Sequence, residues 1–158
     1  MKITKQRRRN NQKGITITEF SLVATVFFLF LFAVIDLGLF SYVKMTMQHS
    51  VREGARYAIT GLSDLDPDET SNREAAILQK IDSSSNGLLS RVMNVEDVRV
   101  TDINGNTLSG FGGPGDLIVI HLDCEWATTS PFIYPMLPDG KYQFTVSAAM
   151  KNETFDVL

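Results

Sequence analysis

Side chains able to do bond-making chemistry are few in this 158-residue chain. His49 and His121 are its two histidines and Cys124 its one cysteine. A nucleophile and its base must sit within hydrogen-bond reach of each other. His121 and Cys124 lie three residues apart in LIVIHLDCEWA, a run rich in branched apolar residues that reads as a strand. Side chains at odd separation on a strand point to opposite faces, so these two make no dyad. His49 falls in a helical stretch more than 70 residues away. The acids Asp64, Asp66, Asp68 and Glu69 look superficially like a calcium loop. With Asp64 first, Glu69 stands where such a loop needs glycine, and Ala75 where it needs a bidentate glutamate. GFGGPG at 110–115 lacks the Gly-Lys-Ser/Thr ending and the following helix of a phosphate loop. No nucleophile motif, metal spacing or convergent carboxylate pair emerges, so we expect neither an enzyme nor a cofactor.

One more acid needs a reason to be where it is. In KGITITEF, Lys13 to Phe20, Glu19 stands five residues past Gly14, and a long apolar run follows it directly. A carboxylate at the mouth of a membrane span is costly. The elements around it set the context. Residues 1–14 carry six cations and no acid, although the whole chain has a net charge of −3. The remainder holds nine cations against all 18 acids, a net of −9. An acidic body behind a short basic leader argues against nucleic acid as a partner. From Phe20 to Ile35 there are 16 residues without a charge, and the apolar character resumes after Asp36 as far as Val43. As a helix, Phe20 to Val43 is about 36 Å long, enough to cross a hydrocarbon core of about 30 Å. Lys and Arg before the span keep the N-terminus cytoplasmic and put the body across the membrane. No small-residue cleavage pattern follows the span, which separates it from a secretory signal peptide. With one cysteine there is no internal disulfide, and the body must fold by packing alone.

If Gly14 is the last leader residue, Ile15 opens a shorter mature chain and Glu19 is its fifth residue. A basic leader ending in glycine, an acid at the fifth place and an unbroken apolar helix together resemble the processing site of type IV prepilins. Ile15 departs from the aromatic or methionine that many prepilins have there. Downstream, FAVIDLGLFSYVKMTMQHSVREGARYAITG is similar to the TadE-like family, minor pilin-like proteins of tight-adherence (Tad, or Flp) pilus systems. It shows an acid two residues before a glycine (Asp36 and Gly38), an aromatic at Tyr42, and the cluster Gly54, Ala55, Arg56 and Tyr57. AAMKNETF, Ala148 to Phe155, loosely resembles the family's closing strand. Residues 61–140 carry no part of the likeness. The resemblance implies cleavage after Gly14 by a prepilin peptidase in the bacterial inner membrane. It also implies other pilins or minor pilins as direct partners, with the membrane platform and secretion ATPase acting indirectly. Glu19 would neutralise the new amine of a neighbouring subunit, and Phe20 would open the assembly helix. Gly38 and Arg56 become candidate interface residues. The other reading of Glu19 is an interfacial carboxylate favoured by the dipole at a helix start.

Asp36 also has two readings. It lies about 24 Å along the helix from Phe20. Either it reaches the outer headgroups, or it makes an intersubunit contact compensated by Arg56 or a partner's cation.

Periodicity and turn chemistry supply the body. Met47, Val51, Ala55 and Ala58 repeat on one helical face, which predicts a helix from about 16 to 60 ending near Gly61. Ser71 and Glu74 have capping-box spacing before a second helix through Ile81. SSSNG at 83–87 is a break. VRVTDI, LIVIHLDCEWA and YQFTVSAAM read as strands, with NGN as a turn and prolines 131, 135 and 138 forcing an irregular loop. The expected fold is α+β, pilin- or pseudopilin-like: a long transmembrane-plus-amphipathic helix and a short second helix packed on a small antiparallel sheet. The expected divisions are a leader at 1–14, a transmembrane and assembly helix at 15–43, its continuation at 44–61, and an extracytoplasmic domain at 62–158. Two functions fit: a minor pilin or pseudopilin cut after Gly14, or an uncleaved single-span protein displaying a binding or scaffold domain.

Overall fold

The computed structural model of the chain describes residues 13–68, 72–93 and 98–154. The basic leader up to residue 12, Glu69, Ser71 and Phe155 lie outside the described residues.

Helix α1, Lys13–Ala58, is one unbroken element of 46 residues. Its two halves do different work. None of residues 15–35 is buried by the rest of the chain, whereas Val43, Met47, Val51, Ala55 and Ala58 are at most 2% exposed and form the spine of the core. The predicted stripe is therefore the packing face. Burying each larger side chain of that stripe contributes roughly 1.5–3 kcal/mol. The helix unwinds at Gly61, whose φ of 71° only glycine adopts without strain, and its amide donates to Ala58 O.

Helix α2, Arg73–Ser84, buries Ala76, Ile77 and Ile81. Its N-cap is Asn72, not a Ser71–Glu74 box: Asn72 Oδ1 accepts the amides of Glu74 and Ala75 at 3.0 and 3.3 Å. Asn is as good an acceptor there as Ser, and it stands one residue closer to the first helical turn. The helix can lie close to α1 because Gly54 has no side chain; a Cβ there would run into Ile81. The chain then turns at Asn86 and Gly87, both at positive φ, into the single-turn helix α3, Leu89–Val92. Four residues carry no period, so nothing in the amino-acid pattern announces α3.

Strands β1, Val98–Thr101, β2, Leu117–Ala127, and β3, Lys141–Lys151, form one antiparallel sheet in the order β1-β2-β3. Ile118, Ile120, Leu122 and Cys124 of β2 turn inward onto the helices. The opposite face is wet and paired across strands: Arg99 with Asp123 and Lys141 with Glu125, each at 2.7 Å. The Arg99 guanidinium, then the Thr145 hydroxyl, hold Asp123 below the usual carboxylate range. His121 is on this wet face, 3.1 Å from Thr101 Oγ1, while Cys124 is in the core.

Strand β3 runs alongside α1 in the same direction. Its Tyr142 stacks on Phe40 at 4.4 Å, Gln48 Nε2 donates to Ser147 O at 2.8 Å, and the Glu153 amide donates to Ile59 O at 3.0 Å. Rising along β3 is thus rising along α1, and the β2–β3 connection lies at the end of the sheet nearest the apolar half of the helix.

Candidate functional site

Along the exposed half of α1, the apolar side chains point outward on every side: Ile15 is 64% exposed, Phe20 72% and Val34 66%. This helix is long and apolar enough to cross a membrane. Ile15 to Ile35 spans about 32 Å at 1.5 Å per residue, close to the hydrocarbon thickness. Its few hydroxyls are turned back on the helix itself. Ser21 Oγ donates to Ile17 O and Thr25 Oγ1 to Ser21 O, both at 2.8 Å. That satisfies them without water, as a helix crossing hydrocarbon would require.

The predicted processing residues Gly14 and Ile15 lie within the described part of α1. Ile15 and Glu19 are four residues apart and share a face, with an axial offset of about 6 Å. Glu19 is exposed and makes no ion pair with a described residue.

Asp36 sits where the exposed half of α1 ends, and it is 1% exposed. Its carboxylate takes four hydrogen bonds from the body. Thr129 donates to Oδ1 through its amide at 2.7 Å and its hydroxyl at 2.6 Å. Thr128 Oγ1 donates to Oδ2 at 2.7 Å and Tyr142 OH at 2.8 Å. Burial first, then the bond to Asp36, push the Tyr142 phenol above its usual value, so it remains a donor at neutral pH. The anion is thus held by neutral donors. Within the chain these neutral donors, and not Arg56, compensate Asp36. Arg56 is 20 residues further along the same helix, about 30 Å away, and lies 3.6 Å from Glu53. The contacts of the body with α1 include Asp36 and Phe40.

Gly38 is on the other side of the helix, with nothing within 4 Å of the position a Cβ would take. Leu37, Leu39, Tyr42 and Met45 around it are 42–74% exposed. This exposed apolar strip lies on the side of α1 away from the body.

A second clasp ties the far end. Arg73 donates to Gly112 O at 2.7 Å, Ala58 O at 2.8 Å and Phe111 O at 3.3 Å. The loop GFGGPG is therefore a structural strap: Phe111 is in the core and Asn152 Nδ2 holds the carbonyls of Phe111 and Gly113. The acidic turn is structural as well. Tyr57 OH donates to Asp64, and Asp66 accepts the amides of Asp68 and Asn72. Among the described residues no three His, Cys, Asp or Glu side chains are placed to share a metal ion.

Thr128, Thr129, Tyr142 and Arg73 are the residues that sequence reasoning missed. Two signals pointed toward them. A buried acid with no nearby cation needs clustered hydroxyl and amide donors, and Thr128–Thr129 opens a proline-rich loop. An arginine in the first turn of a helix opposes the dipole, which implies that its charge is used elsewhere.

A family model described as TadE-like protein matches residues 14–56. The matched segment takes in Gly14, Glu19, Asp36, Gly38 and Arg56. No curated protein and no solved structure matches the chain. The long apolar helix and the small three-stranded sheet are consistent with a pilin-like α+β fold. Together with the family match, the membrane-length helix supports a general pilin or pseudopilin role.

Proposed function

We propose that this chain is a minor pilin or pseudopilin of a tight-adherence (Tad, or Flp) type IV pilus, matured by a prepilin peptidase that cuts after Gly14. The observation that carries the reading is one continuous helix with two uses. Its first half offers apolar side chains on all sides to lipid or to neighbouring helices, and its second half is the core of a clasped body. A subunit built this way can leave the bilayer and enter a helix bundle without refolding, since nothing among the described residues of its body covers the exposed half.

Cutting at Gly14–Ile15 would create an ammonium at the start of that half. Glu19 on the adjacent turn then becomes the matching anion. Between packed apolar helices the pair has little competing water, so a wrong axial register would leave both charges buried and unmatched. Gly38, with no side chain, and the apolar strip around it would allow a second helix to approach closely. Other pilins, the peptidase, the membrane platform and its ATPase are the partners this reading requires. The body's placement outside the cytoplasm follows from the basic leader.

Glu19→Ala tests the docking charge. Membrane insertion and cleavage are expected to be unchanged, because neither needs the carboxylate. Co-purification with partner pilins is expected to fall at least tenfold, equivalent to about 1.4 kcal/mol. Unchanged co-purification would favour the alternative of an uncleaved single-span protein that displays a binding domain.

A further inference from the structure

We propose that the β2–β3 connection, residues 130–138, seats in the bilayer interface on the body's side of the membrane and gives the body a second contact with lipid. The proposal rests on the reading of α1 as a membrane span. Thr128 and Thr129, just before the loop, are bonded to Asp36, and Tyr142, just after it, is bonded to the same carboxylate. Both ends of the loop are therefore pinned at the level where the lipid-length part of α1 stops. Because β3 ascends alongside α1, the loop closes the end of the sheet that faces the membrane.

Its surface suits that position. Thr128 to Pro138 contains no charged residue. Phe132 is 48% exposed, Tyr134 56% and Met136 81%. Aromatic side chains with one apolar and one polar end gather at headgroup depth. The tyrosine is held in place, since its ring lies over Gly140 and would collide with any Cβ there.

The backbone suits it too. At the edge of hydrocarbon an unpaired amide is expensive. The amides of Ser130, Ile133, Tyr134, Met136, Leu137 and Gly140 find acceptors within residues 128–137, whereas those of Phe132 and Asp139 do not. Pro131, Pro135 and Pro138 have no N–H to satisfy. The body would then be fixed at two points around the membrane normal, which orients its wet sheet face relative to neighbouring subunits.

The test uses the full chain in vesicles of phosphatidylethanolamine and phosphatidylglycerol, with Cys124→Ala removing the native thiol. A fluorophore sensitive to polarity is attached at Met136→Cys, and separately at Val34→Cys in the span and Ile103→Cys at the opposite end of the sheet. Brominated phospholipids serve as quenchers. The expected result is blue-shifted emission at 136 and quenching several-fold above that at 103, with 34 also strongly quenched. Adding Phe132→Asp should reduce the quenching at 136. If 136 behaves like 103 while 34 is quenched, the loop does not touch lipid and the proposal fails with the span intact. Blue-shifted emission at 136 without bromine quenching would mean that protein covers the loop, which also overturns it. Absence of quenching at 34 would remove the span reading itself.

Discussion

Asp36→Ala should lower the stability of the body by about 3 kcal/mol, because four donors lose a charged acceptor at once. The loss is measured by thermal unfolding of the full chain in detergent, where neighbouring subunits are absent. Three of the four donors are hydroxyls, which can turn to seek other acceptors; the Thr129 amide cannot. Protease cutting within residues 128–140 should increase in parallel, since the loop loses its tie to the helix. Asp36→Asn should cost about half as much, because one oxygen still accepts while the amide nitrogen faces hydroxyls able to reverse their roles. Arg56→Ala should leave the melt where it is. An Asp36→Ala change within about 0.5 kcal/mol of wild type, the range of an ordinary surface substitution, would show that the carboxylate serves contacts outside the chain.

The second large effect is expected at Arg73. Arg73→Ala removes three charge-assisted bonds that join the C-terminal end of α1 to the strap at 111–112. Ala58 O is at the negative end of the helix dipole, where a cation is favoured. Burial draws the guanidinium below its usual value, the Glu74 carboxylate acting the other way, yet arginine stays charged at any physiological pH. We expect a loss of about 2–3 kcal/mol and faster amide exchange across 110–115. Arg73→Lys should recover little of it, since an ammonium is a point charge and the three carbonyls need a planar fork. Full rescue by lysine would mean that charge alone matters and that the fork geometry does not.

The amino-acid pattern is most informative where a repeat is long. The 3.6-residue stripe through Met47, Val51, Ala55 and Ala58 places the C-terminal end of α1 within about two residues, and the branched run from Leu117 defines β2 to the residue, because each buried face is written many times over. The single-turn α3 leaves no trace, and the cap of α2 falls on Asn72 rather than Ser71 because consecutive polar residues can each supply an acceptor. The site is half legible. Asp36 is conspicuous as an acid in an apolar helix, but its donors lie more than 90 residues away in sequence. Nothing local links Thr128 to Asp36; only the parallel run of β3 beside α1 brings them together. The same topology carries a proline-rich connection to the end of the body nearest the apolar half of α1. Arg73 is hidden for a related reason, its acceptors being backbone carbonyls that any sequence would provide.

The decisive experiment is an intact-mass determination on the chain purified from cells that carry a prepilin peptidase. The expected polypeptide begins at Ile15, with Glu19 as its fifth residue, and the uncut form accumulates in cells lacking the peptidase. A working protein that keeps residues 1–14 would contradict the proposed maturation, for then no new ammonium exists for Glu19 to meet.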